Sequence, residues 1–251
     1  MKQVAFILLS LWMMLSAEAQ DIRVIIKEAE TFDQQLKEPE ALEKYKAALL
    51  VESNHLKALV RSAELHVSIG AREKDEKSKK RYYETALAYA KRASDAHPQE
   101  ADAWYAMSMA SGRMTDVEPE RKKIVAFVKD TKVFADKAIS LNPNHGKAHY
   151  TLGKWHYEMV NLSGFKKAAV KLFYGGLPEG TLDKAIEHME LCRKFEPYFV
   201  VNYYDLAVAY QQKNRPSQAI EVLNKMVRLP NRSFDDPALK AEGKKLLESI
   251  Q

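Results

Sequence analysis

Three stretches of the chain carry one pattern: an alanine-rich amphipathic helix, a corner at Asn-Pro or a near equivalent, and a second helix opening on an aromatic or bulky residue. The clearest copy runs through Ala135, Ala138, Leu141, Pro143, His149, Leu152, Gly153 and His156. Ala90, Ala93, Pro98, Trp104, Met107 and Ser108 fall into register on it, as do Met189, Cys192, Pro197, Tyr203, Leu206, Ala207 and Tyr210. A weaker first copy passes through Ala41, Tyr45, Ala48, Ser53, Leu59, Ser62, Ala63 and Gly70. Repetition of this kind sets the architecture before any site is considered. A pair of antiparallel helices cannot bury its apolar face alone, so neighbours stack into a solenoid with a concave groove. Small residues mark close helix crossings, and proline marks where a helix cannot continue.

The unit resembles a tetratricopeptide repeat, which implies an all-α fold: a right-handed superhelix of antiparallel helix pairs. Its spacing is enlarged. Leu59 to Trp104 and Trp104 to His149 are each 45 positions, and His149 to Tyr203 is 54, against about 34 for the plain repeat. The extra residues lie inside the helix pairs, so segments 71–81, 114–123 and 161–180 are expected to be elongated helices or excursions on one side of the solenoid. The first helix is expected over Ile22–Leu36, Pro39 opens the next, Asn54 is placed to cap the helix through Leu65, and Gly70 to end it. Ser233-Phe234-Asp235-Asp236-Pro237 reads as the N-terminal cap of a polar closing helix running to Ile250. No strand pattern competes.

Met1 to Ala19 has Lys2, an apolar run from Val4 to Leu15 and Ala17-Glu18-Ala19 as an A-x-A site, the pattern of a signal peptide. The run is shorter than the roughly 20 residues that span a bilayer. Cleavage before Gln20 and export to a periplasm or extracellular space are therefore expected, leaving residues 20–251 as one helical-repeat domain. The net charge of +5 is a mild bias, and basic residues alternate with Glu and Asp along most helices, so no nucleic-acid partner is expected. The lone Cys192 sits in a small-residue slot and reads as core filler.

Catalysis leaves little trace. Ser163-Gly164-Phe165-Lys166 fits S-x-x-K only by letter, and Gly175 to Gly180 lacks the lysine and hydroxyl of a phosphate loop, so it reads as a turn. His145, His149 and His156 would share one face of a helix. Since His149 and His156 occupy large-residue slots, core or capping histidines are expected rather than metal ligands. No cofactor is expected.

One position past each aromatic slot stand Tyr105, Tyr150 and Tyr204, and four further on come Met109, Lys154 and Val208, with Tyr157 three beyond Lys154. On the first helix of each pair these positions point either into the groove or onto helix seams. In the first case the groove is aromatic and partly apolar, suited to a peptide or an acyl chain. Lys57 and Arg61 are followed by Glu64, Met109 and Lys154 where a carboxylate clamp would place asparagines, which disfavours a receptor for C-terminal tails.

Leu152-Gly153-Lys154-Trp155-His156-Tyr157, the insertion after it, Thr181 to Ala185 and Leu229-Pro230 together are similar to the regulator of microtubule dynamics family. Members of that family associate with microtubules or tether membranes, and a tethering member's repeat domain is associated with phospholipid binding and transfer. The resemblance implies phospholipid or acyl chain as a ligand class, with Lys166, Lys167 and Lys171 of the insertion facing phosphate head groups and a peripheral membrane contact. The leading expectation is a non-enzymatic scaffold holding a protein or peptide partner in its groove; the alternative is a lipid-binding module.

Overall fold

The computed structural model describes residues 22–251 apart from 165–167, 169, 173 and 174. Met1 to Ala19, read from the sequence as a signal peptide, and the candidate head-group residues Lys166 and Lys167 fall outside the described residues. Among the described residues all regular structure is helical. The helices are α1 (22–34), α2 (Glu38–Val51), α3 (Leu56–Arg72), α4 (Glu76–Ala96), α5 (Ala101–Met114), α6 (Arg121–Leu141), α7 (Gly146–Asn161), α8 (Leu182–Phe195), α9 (Val200–Gln212), α10 (Pro216–Met226) and α11 (Asp236–Ile250).

Helix α3 packs on α4, α5 on α6, α7 on α8 and α9 on α10, while α3 touches α5, α5 touches α7 and α7 touches α9. The odd-numbered helices thus form one continuous layer, the inner wall of the superhelix, and α11 closes the array against α9 and α10. The enlargement comes mainly from helix length. Helices α4 and α6 have 21 residues each, whereas α2 and α8 have 14. Segment 71–81 is therefore largely the opening of α4, and 114–123 a short link into α6.

One hydrogen bond fixes the register of the corners. Trp104 Nε1 donates to the Pro98 carbonyl at 2.9 Å, His149 Nε2 to Pro143 at 2.9 Å and Tyr203 Oη to Pro197 at 2.8 Å. Each ring reaches six residues back to a carbonyl at the corner, where helical partners are lacking. In the first copy Leu59 has no donor, and the carbonyl of Ser53 is taken by the Arg92 guanidinium instead.

Two local expectations are corrected. Helix α3 is capped by His55, not Asn54: the His55 Nδ1 accepts from Ala58 N at 3.3 Å, while Asn54 Oδ1 accepts from Arg92. Nor does Gly70 end α3, which continues to Arg72. A Cβ on Gly70 would lie 2.6 Å from the Cβ of Tyr82, so the glycine is there to let α3 and α4 meet closely. Gly153 does the same for α7 and α8, with the Ala185 carbonyl oxygen 3.0 Å from where its Cβ would stand. Cys192 is fully buried, and burial raises its thiol above the ordinary range, so it is neutral packing material.

Candidate functional site

The inner wall is organised around two carboxylates, the buried Glu64 and the half-buried Asp205. Glu64 on α3 accepts from Tyr105 Oη of α5 at 2.9 Å, from Lys147 Nζ of α7 at 2.7 Å and from the Arg61 guanidinium. Arg61 also grips Asp33 of α1 through Nε and Nη2, both at 3.0 Å, and Tyr45 Oη donates to Asp33 at 2.9 Å. Burial alone would raise the Glu64 pKa, but the cations of Lys147 and Arg61 outweigh it and hold the carboxyl well below the usual range. Burial, then the Glu64 charge, pushes the Tyr105 phenol up, so it stays a hydrogen-bond donor. The network crosses four inner helices with one charge set.

The second centre is Asp205 on α9, which accepts from Tyr150 Oη at 2.9 Å and Lys154 Nζ at 3.1 Å. Lys154 also faces Glu158 at 3.4 Å and lies 5.4 Å from the Tyr157 ring centroid. Burial would lower the Lys154 pKa, but Asp205 outweighs it and the ammonium is kept.

The candidate groove residues divide between seam and partly exposed surface. Tyr105 is only 6% exposed and covers the seam between α3 and α5, and the Tyr105 and Tyr150 hydroxyls are spent on carboxylates from neighbouring helices. Met109, Tyr150, Lys154, Tyr157, Tyr204 and Val208 are half-buried. Tyr157 and Tyr204 pack against the core of α8–α11, and Met109 against the core shared by α3 and α5. Lys171 is exposed on a helical stretch beside Leu172.

Beside the Glu64 centre lies a cleft of about 460 Å³ whose walls include Val60, Arg61, Asp102, Tyr105, His145 and Glu196. His145 serves two masters there. Its Nδ1 accepts from Ala148 N at 3.1 Å, capping α7, and its Nε2 meets Asp102 Oδ1 at 3.0 Å. That bond from His145 holds the Asp102 carboxyl low. Glu64 stands where a carboxylate clamp needs an asparagine, and it already occupies the Arg61 and Lys147 cations.

His145 is thus separated from His149 and His156, which turn instead into the α7/α8 seam and meet His188, a residue that position along the chain did not single out. His149 donates its Nε2–H to the Pro143 carbonyl, so its Nδ1 accepts a hydrogen bond from His188 Nδ1 at 2.9 Å. His188 stacks on His156 with ring centroids 5.9 Å apart and planes 6° from parallel. His156 Nδ1 is buried without a partner. No group of three His, Cys, Asp or Glu is arranged to hold a metal ion among the described residues.

This stack makes stability depend on acid. Burial first, then His188, Lys184 and Lys132, with Asp136 opposing, lower the His156 pKa to about 4. In the unfolded chain the same imidazole titrates at the ordinary 6.5. Between these values the unfolded chain binds a proton that the folded chain refuses, so the neutral stack contributes fully above the upper value and less as pH falls to the lower. Urea midpoints should drop across this window by the equivalent of about 2–3 kcal/mol, and His156→Phe should flatten the drop. An unaltered slope in the variant would assign the acid sensitivity elsewhere.

The family model for regulator of microtubule dynamics protein 1-3 matches residues 25–251. The chain belongs to the regulator of microtubule dynamics family. Regulator of microtubule dynamics protein 1 of Caenorhabditis elegans is 28% identical over 137 residues, covering 55% of this chain and 60% of that protein. Its human namesake is 26% identical over 184 residues, covering 72% of this chain and 57% of that protein. The chain thus spans under two thirds of these relatives, whose names describe whole proteins. Among solved structures, a thermophilic TPR protein in Thermus thermophilus superposes with a TM-score of 0.66 at 14% identity, covering 89% of this chain and 99% of that one. That likeness shows that this family member has the tetratricopeptide-type solenoid fold. No helix among its described residues is long and apolar enough to cross a membrane.

Proposed function

We propose that this protein is a non-enzymatic scaffold whose concave face holds a peptide segment of a protein partner, and that the cleft beside Glu64 receives a basic side chain of that segment. The carrying observation is how the charges of the cleft are committed. Arg61 and Lys147 are consumed by Asp33 and Glu64, and Lys57 is paired with Glu30. Asp102 spends one oxygen on His145, yet its side chain remains 63% exposed, and Glu196 lines the same cleft. A cation entering here meets carboxylate, whereas an anion meets cations already neutralised. The phenol and imidazole rings of Tyr105 and His145, with centroids 5.0 Å apart and planes tilted by 39°, line the cleft where its alkyl stem would lie.

Panning a displayed random-peptide library against the protein tests this. Enriched peptides should carry Lys or Arg, and Asp102→Lys should weaken them by about tenfold or more while circular dichroism shows the helical fold retained. Peptides indifferent to that reversal would move the site elsewhere. A second reading, a phospholipid-binding module, is favoured by one observation: Lys171 and the 77%-exposed Leu172 stand side by side on the insertion, a cation beside an apolar side chain. Native mass spectrometry separates the two. A stoichiometric phospholipid adduct lost in Lys171→Glu would support the lipid reading, and bare protein would oppose it.

A further inference from the structure

Repeats of a solenoid touch mainly their neighbours; the Lys147–Glu64 bond reaches across one helix pair, and one side chain here reaches across almost the whole array. Arg72, the last residue of α3, donates through Nη1 to Asp235 Oδ2 at 2.9 Å, a carboxylate 163 positions away. Its guanidinium carbon also lies 4.7 Å from the centroid of the Phe234 ring. Through Nη2 it donates to Glu38 at the start of α2. One side chain therefore joins the first helices of the array to the loop before its closing helix.

The two sides of this junction differ. The Glu38 side chain is 9% exposed and that of Asp235 40%, with Arg72 between them at 31%. Arg72 is anchored on a buried carboxylate and reaches outward to a wet one. The loop it meets is stiffened in advance: Asp236 accepts from Ser233 N at 2.9 Å and from Arg232 N and Ser233 Oγ at 2.6 Å, while Lys240 donates to the Leu229 carbonyl and to Asn231. Arg232 in turn lies over Tyr198, 4.8 Å from its ring centroid. Phe234 is 57% exposed, so the guanidinium holds it against the surface while water still reaches it. Such partly exposed contacts are individually weak and, for the ion pair, salt-sensitive. They can part without disturbing the helix interfaces that hold the solenoid.

We propose that Arg72, Phe234 and Asp235 form a clasp that closes the superhelix into a ring, and that its release widens the concave face to admit a partner. The proposal takes from the preceding reading only that the concave face is the working surface. Asp235→Ala and Phe234→Ala test it, because both leave Arg72 bonded to Glu38, and Asp235 makes no side-chain capping bond to α11.

In small-angle X-ray scattering of the full chain, each variant should show a larger maximum dimension than the unaltered protein. Amide exchange should accelerate about two- to tenfold at residues 70–74 and 229–236, with the unfolding midpoint little changed. Concentrated salt should open the unaltered protein in the same way and add little to Asp235→Ala. Scattering and exchange in both variants identical to the unaltered protein's would overturn the clasp. A basic peptide obtained by panning should associate faster with the variants; equal rates would overturn its role in admission. These results are separable from a failure of the partner reading, since scattering needs no partner.

Discussion

Trp155→Ala should destabilise the protein by about 3–5 kcal/mol, the range for removing a large buried aromatic side chain. Trp155 on α7 is 4% exposed, and its Nε1 donates to the Val128 carbonyl of α6 at 2.8 Å. Its ring stands edge-on to His156, with centroids 5.1 Å apart and planes at 87°. Truncation therefore opens a cavity between pairs and removes the second donor of a carbonyl that also accepts within α6. Trp155→Phe, which keeps most of the ring, should lose less. Trp104→Ala offers the contrast, because that ring is half-exposed and serves mainly its own corner. Urea unfolding followed by circular dichroism reads all three. Unchanged midpoints in both alanine variants would sink the register of the repeats.

Glu64→Ala should cost a comparable amount, about 3–5 kcal/mol, because removing one member of a buried ion pair strands the others. Here three groups are stranded: Lys147, Tyr105 and one arm of Arg61. Tyr105→Phe removes only one donor to Glu64 and should cost about 1 kcal/mol. The Glu64 effect should persist in concentrated salt, since a 9%-exposed carboxylate is poorly screened. Because its folded pKa is depressed, Glu64 contributes stability above the unfolded carboxylate value and loses it only as pH falls below that value. It therefore overlaps the slope assigned to His156 only at the acid end of that window, below about 4.5. A variant as stable as the parent would show that the network is dispensable.

The two experiments touch features of different legibility. The register around Trp155 and Trp104 could be read from the chain because alanines and glycines recur where helices cross, and that spacing is local. The aromatic slots at Trp104, His149 and Tyr203 were equally legible, and each makes the corner bond at the same offset. The Glu64 centre was not. Its partners lie 41 and 83 positions away on neighbouring inner helices, a distance no local pattern encodes. Tyr105 and Tyr150 could be placed on the inner helices, but the acceptors that turned their hydroxyls away from a ligand could not. His188 escaped for the same reason, standing 39 positions from His149 on the opposite helix of the pair. A usable signal did exist in Asn54-His55 and Asn144-His145, one dipeptide recurring at the entry of α3 and α7, where both histidines cap.

The corner bond also changes what counts as a conservative replacement. Trp104, His149 and Tyr203 differ in volume and polarity, yet each carries one ring proton to the same carbonyl. Phenylalanine, nearer to tyrosine in shape than either of the others, has no such proton. The position is thus spelled in an alphabet of proton-bearing rings rather than of hydrophobic sizes, and Pro-x₅-[Trp/His/Tyr] becomes a written signature by which a degenerate repeat can be found when its alanines have drifted.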